Sequence, residues 1–530
     1  MNGPAIAEGS SSPAATLRFS ARRLPWPAIA FLTLTAAVSL IWSHYKLLVP
    51  DELFVLQTGS VSSLGQIVHI QRAYPICLDP LFYHAVVHSA IGLFGASALV
   101  LRLPSLLGFL LMQVCLFVFV RRMASERAAI FALAFPALTL TLYYSAQARP
   151  YGLLLGLFAL TMVSWQTAIR LVPRRGLALV TLALAIALTL NTHYFGVLIL
   201  VPLCGAELVR SVQRRRLDLP VVASIGAGMA GFIFVLPFMG AAAEFRQRYY
   251  NTGQAGPHII LQAYRAILVE PVEAGSRMQH LLAICLVVLA VPLFWAGLRQ
   301  FRGGTLSLTG AEAVFLVLLA GLPFCWYGVG RYGVHSLEIY YVLGTLVGIS
   351  PLLAVALGPL LLGERSGKAI LVLLFVAIAC AGVLRILASR NRGQEFMSSL
   401  VVSPEIKAAL MARPSQPIYF EDLIGYEMAR YYEPDPEVRS RMVLAYSMDQ
   451  ELYWNGSDSN VLVVMHMRNF PIFPIVPYES VTAQPGDHLL AIIKKDSWDW
   501  SARAFAASGA DVKPIGPALG GDLVSVRFHP

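Results

Sequence analysis

The chain has 530 residues, of which 57% are hydrophobic and only 13% are charged, whereas soluble domains are about a quarter charged. So few charges cannot cover the surface of a water-soluble enzyme of this length, and the large apolar fraction excludes intrinsic disorder. A net charge of +10 can indicate nucleic-acid binding, but the positions of the basic residues in the sequence must be considered first. The composition therefore predicts a membrane protein.

Apolar segments long enough to cross a bilayer recur along most of the chain. Arg18, Arg22 and Arg23 precede the first segment, which lacks a small-residue cleavage site, so we expect an uncleaved helix after a cytoplasmic tail of residues 1–24. We predict about eleven transmembrane helices in a membrane domain of residues 25–388, at 25–43, 101–120, 127–145, 151–169, 176–191, 193–209, 219–240, 281–298, 311–329, 337–360 and 369–388.

The basic residues predict the orientation of these spans. With a cytoplasmic N-terminus, the loops on the cytoplasmic side carry 17 basic residues and the opposite loops carry 8. This is the asymmetry of the positive-inside rule, and it accounts for most of the net charge without nucleic acid. We therefore expect a multi-pass protein of the inner (plasma) membrane, with membrane lipid and no nucleic acid among its partners.

Two long loops are expected on the outer side, at 44–100 and 241–280. The apolar segment from Pro80 to Ala96 lies in the first of them, and counting it as a span would reverse every later loop. We interpret it as an amphipathic helix in the outer interface. Its His84 and His88 are interpreted as packing residues, with metal ligation as the alternative.

Residues 389–530 regain charge and form short β-rich runs separated by helical stretches near 422–432 and 498–508. This pattern predicts a small extracytoplasmic α/β domain. The β-rich runs are 417–420, 442–446, 461–464, 489–493 and 523–528. The six cysteines fit neither a disulfide framework nor a zinc motif by their spacing, and five lie in apolar runs, as small buried side chains do: Cys77, Cys115, Cys204, Cys285, Cys325 and Cys380.

Ionisable and aromatic residues gather at the outer ends of the spans. Each has an ordinary explanation by itself: acids cap helices, arginines extend to lipid headgroups, and His and Tyr populate the aromatic belt. Together, on one side of the membrane, they predict a polar cavity at the outer leaflet. The set comprises Asp51, Glu52, Arg102, Arg149, Tyr151, His193, Tyr194, Arg331, His335 and Glu338.

A carboxylate beside cations at the depth of the lipid headgroups suits group transfer from a lipid phosphate. Arginines hold a phosphodiester, and a neighbouring acid accepts the proton of an attacking hydroxyl. As a sugar leaves, negative charge builds on the phosphate, so cations placed there stabilise the transition state.

The order of these features resembles the GT-C superfamily of integral-membrane glycosyltransferases. Within it, the chain is most similar to bacterial relatives of the dolichyl-phosphate-mannose protein mannosyltransferases, a group that includes the lipid A aminoarabinose transferase. The resemblance covers roughly residues 20–390. It rests on the acid pair after the first span, Gly92-Leu-Phe-Gly95, Leu101-Arg-Leu-Pro-Ser105, Gln147-Ala-Arg-Pro-Tyr151 and His193-Tyr194.

The resemblance implies inverting transfer from a polyprenyl-phosphate-linked sugar to a lipid, glycan or protein acceptor at the outer face. Asp51 would be the general base, with Glu52 beside it. Arg102 and Arg149 would bind the donor phosphate or hold the site together, and Arg331 would also contact the phosphate. The substrate-binding residues would be Asp79, Tyr151, His193 and Tyr194.

The chain departs from its relatives at two elements. Cys77-Leu-Asp-Pro80 stands where many have His-Pro-Pro or Glu-Lys-Pro, and Glu338-Ile-Tyr340 stands where an Arg-Tyr pair is common. Some relatives use a divalent cation, for which His335, Glu338 and Asp79 could supply ligands.

A transporter or flippase of a lipid-linked glycan is the alternative function. It predicts ionisable residues and interrupted helices near the middle of the membrane. The centres of the predicted spans are nearly free of charge, which favours the transferase.

Overall fold

The computed structural model describes residues 24–530 apart from 74–75, 78, 171, 250–255, 270–306, 335–336, 457–459, 471, 483–487, 495–498 and 530. Four features of the sequence analysis lie outside the described residues: the predicted cytoplasmic tail before residue 24, the predicted span 281–298, Cys285 and His335.

The described part of the membrane domain is helical from end to end. Its α-helices are Trp26–Tyr45, Pro50–Gly59, Leu64–Ala73, Leu81–Phe94, Ala98–Arg121, Glu126–Ala134, Leu140–Ser145, Tyr151–Arg170, Arg175–Thr192, Leu200–Arg214, Leu219–Ala230, Leu236–Tyr249, His258–Val269, Gly310–Ala320, Leu322–Val329, Thr345–Ala356, Gly358–Leu362 and Glu364–Leu400. Short 3-10 segments lie at Phe135–Leu138, Val172–Arg174, Tyr194–Ile199, Gly231–Phe234 and Ile339–Val342, and a π-helical turn at Gly330–Val334.

Within the described residues, six helices are long and apolar enough to cross a membrane, or eight if each of two bent pairs is one span. This confirms a polytopic helical membrane protein, while the count of eleven spans stays a prediction. Proline and glycine explain the interruptions, since each disfavours a continuous helix. The predicted span 127–145 is divided near Pro136, and the predicted span 311–329 bends by 51° after Gly321, next to Pro323.

Glycines allow two central helices to pack backbone against backbone. A Cβ atom on Gly152 would overlap the backbone of Ser105, and one on Gly156 would overlap the backbone of Gly108. Small residues spaced by four are a common means of close helix contact in membranes. This pair joins Ala98–Arg121 to Tyr151–Arg170, each of which carries one residue of the predicted site.

Three short helices occupy residues 44–100, the predicted first outer loop: Pro50–Gly59, Leu64–Ala73 and Leu81–Phe94. The last of them is the helix predicted between Pro80 and Ala96, and it begins directly after Pro80. His84 is fully buried, while the His88 ring shares a 2.9 Å hydrogen bond with the carbonyl of Gly59.

The Glu364–Leu400 helix continues without a break past residue 388, where the second domain was predicted to begin. Beyond it lies a six-stranded sheet of order β3-β2-β1-β4-β6-β5. The strands from β3 to β4 are parallel neighbours, whereas β6 pairs antiparallel with β4 and β5. The strands are β1 Ile418–Phe420, β2 Met442–Tyr446, β3 Ile475–Pro477, β4 His488–Ile493, β5 Asp511–Ala518 and β6 Gly521–Arg527.

The predicted small α/β domain is therefore present, with one correction. The β-rich run 461–464 lies in the helix Asn460–Met467, because a short apolar run without alternation fits a buried helix as well as a buried strand. Strands β3 and β5 were not predicted. The helices of the domain are Pro404–Met411, Leu423–Tyr432, Pro436–Ser440, Met448–Asn455, Asn460–Met467, Tyr478–Thr482 and Ser501–Ala507.

The sheet domain packs against the first outer loop. Leu53 and Tyr83 of that loop belong to the same buried apolar cluster as Phe420 and Leu490 of the sheet. The domain thereby covers one side of the Pro50–Gly59 helix, which begins with the predicted acid pair.

Candidate active site

The acid pair lies in the first turn of the Pro50–Gly59 helix. Neighbouring residues on a helix point about 100° apart, and the two carboxylates consequently have different environments. Glu52 is fully buried, and its carboxylate accepts the backbone N–H of Val49 at 3.2 Å. The Asp51 side chain is 57% exposed. Only Asp51 is open to a substrate in this conformation.

Glu52 forms a buried ion pair with Arg102. The Nε and Nη2 atoms of Arg102 each donate to one carboxylate oxygen at 2.8 Å. The remaining guanidinium hydrogens donate to the carbonyls of Ser43, Lys46 and Leu47 at 2.7–2.9 Å. All five donors of a guanidinium are thus occupied within the protein.

The amide of Ala148 also donates to Glu52, at 2.7 Å. Burial by itself would raise the pKa of the Glu52 carboxyl, but the charges of Lys46 and Arg102 together with these hydrogen bonds hold it below its usual range. Glu52 and Arg102 therefore tie together the end of the first helix, the Pro50–Gly59 helix and the 143–151 turn. Of the two roles suggested for Arg102, this arrangement fits holding the site together.

Arg149 links Asp51 to the aromatic residues of the site. Its Nη1 atom lies 2.7 Å from an oxygen of Asp51, and its Nη2 atom donates to the hydroxyl of Tyr151 at 3.3 Å. The Tyr151 ring lies 5.3 Å from the ring of His193 between centroids. The structure thus brings together residues from three separate parts of the sequence: Asp51, Arg149 with Tyr151, and His193.

His193 connects this group to Asp79. Its Nδ1 atom accepts the backbone N–H of Phe195 at 3.1 Å, capping the 3-10 segment that begins with Tyr194. A neutral ring then carries its proton on Nε2, which lies 3.5 Å from Oδ1 of Asp79. Burial raises the pKa of the Asp79 carboxyl to about 7.

The remaining predicted residues lie in the turn before the Thr345–Ala356 helix. Arg331 belongs to the π-helical turn and stacks beside Tyr332, 5.8 Å from its ring centroid. Glu338 is half-buried and occupies the N-cap position of the Ile339–Val342 segment without a side-chain capping hydrogen bond. Because His335 lies outside the described residues, the metal-ligand set expected from His335, Glu338 and Asp79 stays a prediction. Among the described residues, the one grouping of three potential ligands is Cys77, Asp79 and His84.

A cavity of about 1150 Å³ opens next to the start of the Pro50–Gly59 helix, with Leu47 and Val49 among its lining residues. Trp42 and Lys46 at the end of the first helix form one wall, and Tyr144, Glu338 and Tyr340 form another. The Glu364–Leu400 helix closes the third side. Its residues at the cavity are Ala381, Leu384, Arg385, Ala388, Ser389, Arg392, Gly393 and Phe396. The cavity thus combines an apolar surface with three cationic side chains.

Sequence reasoning did not include Lys46, Arg385 or Arg392 in the site. A usable signal exists for the two arginines, because Arg385, Arg390 and Arg392 stand at the outer end of the last predicted span, where the positive-inside rule disfavours cations. Arg385 also falls within the predicted span 369–388, and ionisable residues within membrane spans commonly have a partner or a task.

Residues 79–240 match the family model of the dolichyl-phosphate-mannose-protein mannosyltransferases. This part of the chain contains Asp79, Arg102, Arg149 and the His193-Tyr194 turn. No curated protein sequence matches the chain.

Two solved structures with the same fold cover nearly the whole chain. The crystal structure of ArnT from Cupriavidus metallidurans bound to undecaprenyl phosphate matches with a TM-score of 0.57 and 13% identity, over 94% of this chain and 97% of that one. The apo form of ArnT gives a TM-score of 0.56 with the same identity and coverage. An Archaeoglobus fulgidus oligosaccharyltransferase in the apo form gives 0.41 and 13% identity over 83% of this chain and 68% of that one. The family match and the shared fold confirm the resemblance found in the sequence, namely to the GT-C superfamily of membrane glycosyltransferases.

Proposed function

We propose that the protein transfers a sugar from a polyprenyl-phosphate donor to an acceptor hydroxyl at the outer membrane face, with inversion and with Asp51 as general base. The observation that carries this proposal is the exposed Asp51 carboxylate, which is paired with Arg149 and lies two residues after Val49, a residue on the wall of a cationic, partly apolar cavity. Membrane glycosyltransferase activity is what the family match and the fold support.

Asp51 suits the base role by its exposure and its fixed position. Arg149 holds one carboxylate oxygen at 2.7 Å, which orients the carboxylate. In the reaction, the acceptor O–H gives its proton to Asp51 while its oxygen bonds to the anomeric carbon. The bond from that carbon to the phosphate oxygen breaks on the opposite face, and its electron pair stays on the phosphate.

The cavity suits the lipid phosphate. Lys46, Arg385 and Arg392 supply positive charge on its wall, where cations stabilise the charge that builds on a leaving phosphate. Its apolar residues offer a surface for the first isoprene units of a polyprenyl chain. Since ArnT has been crystallised with undecaprenyl phosphate, a polyprenyl phosphate is the carrier that we propose here as well. Arg149 and Arg331 remain further candidates for phosphate contacts.

We propose the orientation from the distribution of charge. Residues 1–24 face the cytoplasm, residues 25–388 form the transferase domain in the inner membrane, and residues 389–530 lie outside. The excess of arginines in alternate loops supports this orientation. Both the cavity and Asp51 then open to the outer face, where lipid-linked sugars meet their acceptors.

The Asp51→Asn variant tests the proposed base. Loss of general-base catalysis lowers rates by about 100–10,000-fold, so we expect at least a 100-fold loss of sugar transfer, with normal expression and thermal stability. The measurement is conversion of radiolabelled undecaprenyl-phosphate sugars (mannose, glucose and aminoarabinose) by the purified protein in membranes that supply the acceptor. Asp511→Asn, on edge strand β5, is the matched control. Near-normal turnover in Asp51→Asn would exclude the assignment.

A further inference from the structure

A second cavity lies between the Pro50–Gly59 helix and the sheet domain. Its volume of about 570 Å³ falls within the range of about 300–1,000 Å³ that is usual for small-molecule sites. Leu53, Leu56 and Gln57 line it, and their spacing places them on one face of the helix. Asp51 lies about 200° around the helix from Leu53. The helix therefore separates a molecule in this second cavity from the proposed base.

The wall opposite the helix is supplied by the sheet domain and contains three aromatic rings, those of Tyr431, Phe470 and Phe473. Arg430 also lines the cavity, but its Nε and Nη1 atoms already donate to the carbonyls of Ile472 and Arg439 at 2.6 and 2.8 Å. The second cavity is thus mainly apolar and aromatic, with a small number of polar groups. This is the usual composition of a ligand site at a boundary between domains.

Two buried side chains of this wall have hydrogen-bonding capacity left over. Gln57 and Glu427 are 9% and 1% exposed, and the amide of Gln57 donates to Oε1 of Glu427 at 2.6 Å. Within the described residues, Oε1 of Gln57 and Oε2 of Glu427 have no hydrogen-bond partner. Native proteins leave few buried polar atoms unsatisfied. Because both residues line the cavity, a ligand there can supply the missing partners.

The two atoms need different partners. Oε1 of Gln57 accepts hydrogen bonds and cannot donate. Burial raises the pKa of the Glu427 carboxyl well above its ordinary value of 4.5, with the charge of Asp51 adding to the effect and the hydrogen bond from Gln57 opposing it. In its protonated form the carboxyl can donate through Oε2. A hydroxyl group satisfies both atoms, since it donates and accepts, whereas an acyl chain satisfies neither.

We propose that the second cavity binds the ring of a neutral sugar. Neighbouring hydroxyls of one sugar can donate to Gln57 and pair with Glu427 at the same time. The C–H groups on the face of a sugar ring carry partial positive charge, which suits the negative face of an aromatic ring. This sugar is held and not transferred, because the helix separates it from Asp51. It joins the Pro50–Gly59 helix to the Leu423–Tyr432 helix of the sheet domain.

Saturation-transfer NMR tests the site with the purified full-length protein in a detergent without a sugar headgroup. The probes are the methyl glycosides of mannose, glucose, galactose and N-acetylglucosamine. No lipid donor is present, so binding is measured independently of the proposed sugar transfer. We expect saturation to pass to at least one probe, and Gln57→Leu to weaken its binding by about fivefold or more, the effect of one hydrogen bond. Ile424→Ala changes an exposed residue of the Leu423–Tyr432 helix and should bind like the wild type.

Two further variants distinguish this cavity from other places where a sugar could bind. Phe470→Leu keeps an apolar side chain without the ring and is expected to weaken binding. Glu427→Gln keeps both a donor and an acceptor and is expected to retain binding. If Gln57→Leu does not fold, Phe470→Leu decides the question. The proposal is overturned if no probe receives saturation, or if the wild type, Gln57→Leu and Phe470→Leu bind equally well, since the sugar then lies elsewhere.

Discussion

Two neighbouring acids, each paired with an arginine, differ mainly in their contact with solvent. The Glu52–Arg102 pair is 0% and 1% exposed, whereas the Asp51–Arg149 pair is 57% and 13% exposed. Removing one member of a buried pair leaves an uncompensated charge, which is far more costly than the same change at an exposed pair. We therefore expect changes at Arg102 to affect folding and changes at Asp51 to affect chemistry.

Arg102→Met is expected to destabilise the protein by about 3–5 kcal/mol, the typical effect of breaking a buried ion pair. The variant leaves Glu52 and three backbone carbonyls without their donor. Thermal unfolding in detergent measures the effect. Lys368→Met is the control, because the Lys368–Glu364 pair is 66% and 76% exposed and should contribute little. Equal unfolding temperatures for the wild type and Arg102→Met would contradict this role.

Lys46 makes the cavity sensitive to pH. Burial lowers the pKa of its ammonium group to about 7, with Arg102 and Arg392 also lowering it and Glu52 opposing them. The side chain is therefore charged below about pH 7 and neutral above it. Because Lys46 lines the proposed phosphate cavity, we expect the cavity to bind a lipid phosphodiester more tightly at pH 6 than at pH 8.

The expected change is roughly tenfold, since a hydrogen bond to a charged group contributes about 1.5–3 kcal/mol. Titration with undecaprenyl-phosphate mannose measures it, because a phosphodiester keeps one charge over this range. Lys46→Arg is the comparison, as a guanidinium stays charged at both pH values, and its binding should vary less with pH. The same pH dependence in both proteins would exclude Lys46 as its source.

Among the elements, the contact between Ala98–Arg121 and Tyr151–Arg170 positions Arg102 and Arg149. Gly156→Ala forces a Cβ atom into the backbone of Gly108, and such overpacking costs about 1–3 kcal/mol. We expect a lower thermal unfolding temperature and reduced turnover together. Gly226→Ala, within the Leu219–Ala230 helix, meets open space and should be neutral or slightly stabilising. If the two substitutions behave alike, close packing is not what fixes these helices.

The sequence predicted the helices and loops correctly where hydropathy or the charge of the loops was decisive. Long charge-poor segments indicated membrane helices, and the loop charges excluded a span at the Leu81–Phe94 helix. Local interruptions escaped detection: the break near Pro136 and the bend after Gly321 leave hydropathy almost unchanged. The helix at 461–464 was missed because an apolar run has the same composition in either conformation.

The same limit applies to the site. The acid pair next to a span and the arginines in short turns were recognisable because they gather with His and Tyr residues at the same predicted side of the membrane. The pairing of each acid with its arginine was not recognisable, because the Glu52–Arg102 and Asp51–Arg149 contacts depend on how helices distant in the sequence pack together. For that reason Arg102 was predicted to bind phosphate as readily as to hold the structure, and Arg385 and Arg392 were overlooked.

At the scale of the whole molecule, the sheet domain and the membrane domain meet at the Pro50–Gly59 helix. The hydroxyl of Tyr432 accepts the backbone N–H of Leu48 at 2.6 Å, and the side-chain amide of Gln57 donates to Glu427 at 2.6 Å. Both contacts are made by residues of the Leu423–Tyr432 helix. Since Leu48 and Gln57 flank Asp51 in the sequence, docking of the sheet domain helps to fix the position of the proposed base.

This docking should weaken as the pH rises. Burial raises the pKa of the Glu427 carboxyl well above its ordinary value of 4.5, and the nearby charge of Asp51 adds to the effect, although the hydrogen bond from Gln57 opposes it. An acid with a raised pKa in the folded state contributes its stability fully below the unfolded value. That contribution is lost as the pH rises from about 4.5 towards the folded pKa.

The glutamine of Glu427→Gln carries no charge at any pH. Comparing this variant with the wild type therefore isolates the contribution of Glu427 to the pH dependence of stability. We expect the wild type to lose thermal stability between pH 5 and pH 8, and the variant to lose less over the same range. Hydrogen exchange of the Leu423–Tyr432 helix locates the change at the contact between the domains. Glu437→Gln, at an exposed position of the same domain, should follow the wild-type profile. A Glu427→Gln profile parallel to that of the wild type would mean that other buried acids control the docking.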